Sequence, residues 1–399
     1  MRADELSGPQ GSGRQGERPL RVLYVTARFF PYLGGIETHV FEVSRRFAAR
    51  GVDVTVLTTD TSGKLAPEEV IDGVRVRRVP AYPAERDYYY APGLRTVIAD
   101  AGRWDIVHCQ GAHTFVPLLA MRAALRARLP YVLTFHAGGD VTAWRGLIRG
   151  AQWRALRPYL ARASRLIGVT QDEAQRFQRT LNLPWEQFAV VHNGASHMPR
   201  VAPEPSLRRG APQIVSVGRL ERYKGHQRVI AAMPHILQRY PDARLKIVGK
   251  GSYEEALRKL TRRLRLESRV EIGSIPAGDT DGMAAAFASA DVVTLLSEHE
   301  GEGIVVLEAL ALGRPVVVAY ATALREFADQ GMARAVSLQG TDAEVAATII
   351  QQIERPLAPA HFEPPTWEAC VDALFQIYTE AVSPQPDQGA LAHVESGRA

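Results

Sequence analysis

The chain has 399 residues, enough for two cores of ordinary domain size. A hydrophobic fraction of 46%, a charged fraction of 23% and a net charge of +5 describe a globular protein and exclude a polyelectrolyte or low-complexity chain. No apolar run approaches the roughly 20 residues of a membrane-spanning helix. Residues 1–19 are polar and lack the apolar stretch of a secretory leader, so cytoplasmic residence is the expectation. Two cysteines, Cys109 and Cys370, fit no disulfide or metal framework and read as small buried residues. Lysine is confined to Lys64, Lys224, Lys246, Lys250 and Lys259, every other cation being arginine. That is a coding bias rather than a nucleic-acid footprint, since no DNA- or RNA-binding module is visible.

Along the first half, short β-branched runs predict strands over 22–26, 54–58, 74–79, 105–109, 131–135, 165–169 and 188–191. Between them, helical spacing appears over 36–50, 115–128, 147–163 and 172–181. Strands separated by helices imply right-handed βαβ crossovers and a parallel sheet covered on both faces. After a proline-rich break at 199–212 a second series begins. Its strands are expected over 213–217, 244–248, 270–272, 292–295 and 315–318, and its helices over 227–238, 253–266, 284–288 and 303–312. The reading is an α/β protein of two doubly wound, Rossmann-like domains facing each other across a cleft, where ligands sit outside the carboxyl ends of the strands. A last helical stretch covers 367–382, and 383–399 reads as a disordered tail.

The run Glu300-Gly301-Glu302-Gly303-Ile304-Val305-Val306-Leu307-Glu308 follows the expected strand at 292–295. A glycine turn that opens a helix supplies free backbone N–H groups and a dipole that favour phosphate. Carboxylates at the same place suit hydroxyl groups, so the pair Glu300 and Glu308 points to a sugar nucleotide. Here the chain resembles the retaining glycosyltransferases of family 4, which have the two-domain GT-B fold and carry a Glu-x7-Glu motif with a Gly-aromatic-Gly turn. Only the Glu300–Glu308 register fits, because eight residues beyond Glu298 and Glu302 stand Val306 and Leu310. Glu302 departs from the pattern by replacing the usual aromatic, and must point away from the phosphates or be neutralised.

Further landmarks follow from the same resemblance. Gly218-Arg219-Leu220 through Lys224-Gly225 matches the Gly-Arg-Leu-x3-Lys-Gly motif, which implies Arg219 and Lys224 on the nucleotide diphosphate. Gly34 and Gly35, in the turn after the first strand, border the donor phosphate and the acceptor side. His136, at a strand end, faces the donor sugar from across the cleft. Gly249 stands in the turn Gly249-Lys250-Gly251-Ser252, which is similar to the family's Gly-x-Gly-Pro turn with Ser252 for Pro, and Ile275 falls where main chain usually holds the base; both are expected on the donor. The amides of Gly301, Gly303, Ile304 and Val305 complete the donor site. The Asn193-Gly194 turn is kept, Ser196 stands where Asp is usual, and Thr322-Ala323-Leu324-Arg325-Glu326 lacks the usual Gly-Gly; all three read as framework turns.

The resemblance implies five segments: a tail at 1–19, an acceptor domain at 20–200, a donor domain at 201–365, a helix crossing back onto the first domain at 366–382, and a tail at 383–399. It also implies a retaining, metal-independent transfer from a nucleoside-diphosphate sugar, UDP-hexose or UDP-N-acetylhexosamine, to a hydroxyl acceptor, with no resident cofactor. Glu300, His136, Arg219 and Lys224 are the expected catalytic residues and Glu308 the ribose ligand. The other readings are a catalytically weakened sugar-nucleotide binder and a sugar-nucleotide 2-epimerase. For the acceptor side, Tyr88-Tyr89-Tyr90 could stack on a sugar but reads first as packing. The basic apolar stripe Trp144, Leu147, Ile148, Ala151, Leu156, Tyr159 and Leu160 could rest on an anionic membrane, but reads first as a core-facing helix.

Overall fold

The computed structural model describes residues 18–32, 34–83, 89–112, 114–136, 143–195, 211–276, 279–359 and 361–383, with the side chains of 143–149 and 151 excepted. The first domain runs β1 (Arg21–Val25), α1 (Gly35–Ala49), β2 (Asp53–Asp60), β3 (Glu68–Ile71), β4 (Val74–Pro80), α2 (Leu94–Ala99), β5 (Ile106–Gln110), α3 (Phe115–Arg126), β6 (Tyr131–Thr134), α4 (Ala143–Leu160), β7 (Arg165–Gly168), α5 (Gln171–Leu181) and β8 (Phe188–Val190). The second runs β9 (Gln213–Val217), α6 (His226–Arg239), β10 (Arg244–Val248), α7 (Glu254–Arg263), β11 (Val270–Gly273), α8 (Thr280–Ala288), β12 (Val292–Leu295), α9 (Ile304–Ala311), β13 (Val316–Ala319), α10 (Leu324–Asp329), β14 (Arg334–Val336) and α11 (Asp342–Glu354). It is followed by α12 (Trp367–Val382).

The first sheet has the order β3-β4-β2-β1-β5-β6-β7-β8 and the second β11-β10-β9-β12-β13-β14. Every pairing is parallel except β3 with β4. In both sheets the order reverses beside the domain's first strand, β1 between β2 and β5 and β9 between β10 and β12. That reversal opens a crevice at the carboxyl ends of β1 and β9. The glycine pair after β1 and the Gly218-Arg219 turn after β9 both lie at these points.

The strands are apolar because both faces are buried: β1 reads Arg-Val-Leu-Tyr-Val, and alternate residues enter different cores. Leu23 and Val25 join the layer under α3 and α5, whereas Val22 and Tyr24 join the layer under α1. The second layer also takes Trp367, Cys370, Val371, Leu374, Ile377 and Tyr378, so α12 completes the core of the first domain. Thr366 caps this helix by accepting from the Ala369 amide. Its buried Tyr378 hydroxyl meets Tyr24 Oη at 2.5 Å and His108 Nδ1 at 2.6 Å, and His108 Nε2 meets Thr134 Oγ1 at 2.8 Å. A polar spine thus ties α12 to three strands. Cys109 and Cys370 are free and buried, as read from the sequence.

Some elements escaped the sequence pattern. β3 is an exposed edge strand joined to β4 by Asp72-Gly73, both at positive φ, a two-residue Asp-Gly hairpin turn. β14, α10 and α11 close the second domain; Thr341 and Glu344 form a capping box at the start of α11. Of the tyrosine run, Tyr88 lies outside the described residues, Tyr89 is buried and Tyr90 bridges Tyr82. The side chains of Trp144, Leu147, Ile148 and Ala151 on α4 also lie outside them, whereas Leu156 and Leu160 are core residues, as a packing stripe requires. Among the described residues no helix is long and apolar enough to cross a membrane.

Tyr378→Phe should destabilise the fold by about 1–3 kcal/mol in urea unfolding, because Tyr24 and His108 would each lose a buried partner. An unchanged midpoint would show that the spine contributes nothing.

Candidate functional site

The turn between β9 and α6 is shaped by three buried groups. Leu220 enters the core, and its amide and carbonyl bond to Lys250 O and Tyr253 N at 2.9 and 2.8 Å. His226 sits under the loop, with Nδ1 at 2.9 Å from Ser216 Oγ and Nε2 at 3.3 Å from Arg219 O. Burial pushes its pKa down to about 4, so it acts as a neutral staple. Gly225 ends the turn at φ +78, and a Cβ there would lie 2.1 Å from Leu296 O; only glycine fits. The result exposes Arg219, held by the Tyr223 hydroxyl at 2.6 Å, and aims Lys224 at the neighbouring turn.

That neighbouring turn joins β12 to α9. Lys224 Nζ lies 2.5 Å from Glu300 Oε1, and Ser297 Oγ donates to the same oxygen at 2.7 Å. The backbone is tied as well, Glu298 N donating to Tyr223 O at 2.8 Å. Glu300 N donates to Thr322 Oγ1 at 3.0 Å, and Thr322 itself holds a left-handed φ of 45°. Gly303 caps α9 at φ +79, so the amides of Ile304 and Val305 open the helix with no carbonyl behind them. Glu308 lies one turn on, buried, at 8% exposure. The sequence read Glu300 and Lys224 as ligands of different parts of one molecule. The structure joins them to each other.

Gly249 packs on the first turn, where a Cβ would meet Gly218 O at 1.9 Å, and Ile275 is half-buried against the core of the second domain. On the first domain, Gly34 stands before α1 in extended backbone, and a Cβ there would strike Glu37 Oε2 at 2.4 Å. Nothing lies within 4 Å of a Cβ on Gly35, so packing does not demand glycine there. Burial raises the Glu37 pKa, while Arg28 and, from the other domain, Arg219 oppose the shift. Arg219 and the glycine-pair loop therefore share one electrostatic neighbourhood.

His136 follows β6 at a left-handed φ of 53°, its Nε2 at 2.7 Å from Gln110 Oε1 and its ring edge-on to His39 at 4.7 Å between centroids. His39 Nδ1 lies 2.5 Å from the side chain of Asn193. Asn193 in turn meets Glu302, its N donating to Oε1 at 2.8 Å and its side-chain amide 2.5 Å from Oε2. The third carboxyl of the motif is turned from the amides that open α9 to the other domain. It is averted, and its neutral form is favoured: burial raises its pKa to about 8 against the opposing hydrogen bonds from Asn193, with Glu173 and Glu326 adding to the rise.

One reading from the sequence is corrected. Asn193 and the stretch from Thr322 to Glu326 looked like framework turns, yet they carry contacts between the halves. Arg325 pairs with Asp172, and Glu326 Oε1 accepts from Asp172 N at 2.5 Å. Side chains cannot announce a partner 109 or 154 positions away, so Asn193 and His39 carried no local signal, and Thr322, 22 positions from Glu300, carried none in its own turn. His226 and Ser297 did carry one, standing next to Lys224-Gly225 and three residues before Glu300. Ser196 and the residues 137–140 after His136 lie outside the described residues.

Residues 33–197 match Glycosyltransferase Family 4, and residues 200–365 match Glycosyl transferases group 1. The chain belongs to glycosyltransferase family 4. Its two facing Rossmann-like domains are the GT-B architecture. A GDP-mannose:cellobiosyl-diphosphopolyprenol alpha-mannosyltransferase of Xanthomonas oryzae is 28% identical over 74% of this chain and 77% of its own. A D-inositol 3-phosphate glycosyltransferase of Nocardiopsis dassonvillei is 28% identical over 88% and 91%. The solved sucrose-phosphate synthase of Thermosynechococcus elongatus has the same fold, with a TM-score of 0.70 at 19% identity over 90% of this chain and 98% of that one.

In this glycosyltransferase the Glu302 carboxyl has a folded pKa above its unfolded one, so folding takes up a proton between the two. Its contribution is full at low pH and is lost as pH rises from about 4.5, the ordinary value for a glutamate, to about 8. Glu302→Gln, which has no proton to lose, should gain melting temperature over the unsubstituted enzyme progressively through that window and hold the gap above it. A gap that does not grow with pH would contradict a neutral buried Glu302.

Proposed function

We propose that the enzyme transfers a sugar with retention of configuration from a nucleoside-diphosphate sugar to a hydroxyl acceptor, without a metal ion. The observation that carries the reading is the 2.5 Å contact of Lys224 with Glu300, which brings the cationic turn after β9 against the glycine turn after β12. Between them stand a guanidinium, an ammonium and the first amides of α9, a set suited to a diphosphate. Glu308 takes the ribose and Glu300 the sugar hydroxyls. Gly249 and Ile275 border the base side, and Gly34 and Gly35 close the site from the first domain.

As the bond from sugar to phosphate breaks, negative charge gathers on the departing diphosphate. Arg219 and Lys224 stabilise that charge more than they stabilise the bound donor, which is what lowers the barrier. Lys224 is then shared between Glu300 and a phosphate oxygen, so the ion pair holds the ammonium in place before the donor arrives. The acceptor oxygen attacks from the face the leaving group vacates, and the leaving phosphate takes its proton. His136 faces the sugar from the first domain. Because these groups come from both halves, turnover requires the domains to close.

The donor is proposed to be UDP-hexose or UDP-N-acetylhexosamine. The mannosyltransferase relative, named for GDP-mannose, makes that sugar nucleotide the direct competitor. The acceptor named for that relative is lipid-linked and that of the inositol-phosphate relative is a small polyol, and both classes belong in the assay.

A melting screen with UDP-, GDP-, ADP- and dTDP-sugars should single out one base. A donor at a hundredfold excess over its Kd stabilises by about 2.7 kcal/mol. With the donor in hand, Lys224→Ala and Glu300→Ala should each lower kcat by about 10²–10³, with melting curves still cooperative. Near-normal turnover in both would remove these residues from the mechanism, and an inverted anomeric product in NMR would remove retention.

A further inference from the structure

Glu302 is buried at 6% exposure in the contact between the two domains, at the end of a chain of polar groups: Glu302, Asn193, His39. His39 is buried at 1% exposure, and its Nε2 has no hydrogen-bond partner among the described residues. A carboxyl, a carboxamide and a neutral imidazole in a row can match donors to acceptors in two ways. With Glu302 ionised, the Asn193 NH2 donates to Oε2 and the Asn193 carbonyl accepts from His39 Nδ1–H. With Glu302 protonated, its O–H donates to the Asn193 carbonyl, the NH2 donates to a bare Nδ1, and the His39 proton sits on Nε2. The Asn193 backbone amide donates to Oε1 in both.

We propose that Glu302 is a positioning residue whose proton, acting through the Asn193 amide, sets which nitrogen of His39 is protonated and so whether the Nε2 of the ring packed against His136 carries a proton or a bare lone pair. The proton count balances. On ionisation one proton leaves Glu302 for solvent, the amide turns over, and His39 exchanges Nε2–H for Nδ1–H while staying neutral. Burial keeps His39 neutral, its pKa pushed down to about 4.

The groups around Glu302 come from five elements. His192, in the loop after β8, has Nδ1 at 3.8 Å from Oε1. Glu173 on α5 and Glu326 on α10 disfavour a third negative charge. Cys370 on α12 feels the Glu302 charge, and His39 stands on α1. Arg325 is paired with Asp172. Burial first and the two carboxyls after it favour the protonated arrangement, and the Asn193 donors the ionised one, which leaves the balance within reach of a mild change in pH.

The consequence for the reaction rests on His136 facing the donor sugar, but the test does not, since it needs no donor. The full-length protein with 15N-labelled imidazole rings reports by NMR which nitrogen of each histidine is protonated, and His39→Gln assigns the signal. We expect Nε2–H below and Nδ1–H above a midpoint of about 8. Glu302→Gln reproduces the protonated arrangement, its NH2 donating to the Asn193 carbonyl and its carbonyl accepting from Asn193 N, and should hold Nε2–H at every pH. Asn193→Ala, a second variant should Glu302→Gln fail to fold, should abolish the response. A His39 signal that ignores pH in the unsubstituted protein, or that responds alike in either variant, overturns the proposal.

Discussion

An ammonium and a carboxylate 2.5 Å apart, Lys224 and Glu300, hold the turns after β9 and β12 in one place. Each turn follows a strand of the same parallel sheet, and β9 and β12 are neighbours there because the strand order reverses beside β9. A different order would put the cationic turn and the glycine turn on separate edges. The pair is largely shielded, at 15% and 13% side-chain exposure, so each charge depends on the other. Removing one partner of such a pair costs more than the pair itself contributes. Ser297 and Thr322 supply the remaining hydrogen bonds that a shielded carboxylate and its amide need. The site is preorganised by these contacts before any ligand enters.

The second constraint is the interface. The contact between the two halves includes directional polar pairs: Glu302 with Asn193, Arg325 with Asp172, and Glu326 with the Asp172 amide. Polar contacts of this kind are directional, so they set a register, and they are weak enough to be broken and remade. The helix α12 works the other way. Its apolar face is sunk into the core of the first domain and its Tyr378 is tied to Tyr24 and His108, so it anchors the chain's return permanently.

Much of this was legible in the residues. The alternation of β-branched runs and amphipathic stretches marked most strands of both sheets, because a strand buried on both faces has to be apolar throughout. The glycine turns at Gly225 and Gly303 were legible because positive φ and close backbone approach leave few alternatives. Edge and end elements were not: β3 is half polar, and β14 has three residues of which one is buried. Glu302 was recognised as out of place, and the sequence could say that it had to be averted or neutralised. It could not say by what.

The residues alone determined the two-domain parallel architecture, the turns that point at a phosphate, and the carboxylates and cations beside them, since each depends on neighbours within a dozen positions. The family resemblance implied that the last helix crosses back onto the first domain; only the tertiary structure decided that Lys224 meets Glu300, that Asn193 receives Glu302 with His39 behind it, and that Tyr378 of α12 meets Tyr24. Those pairings join residues 76, 109, 154 and 354 positions apart. The order in which the strands assemble brings them together, and no local spacing records that order.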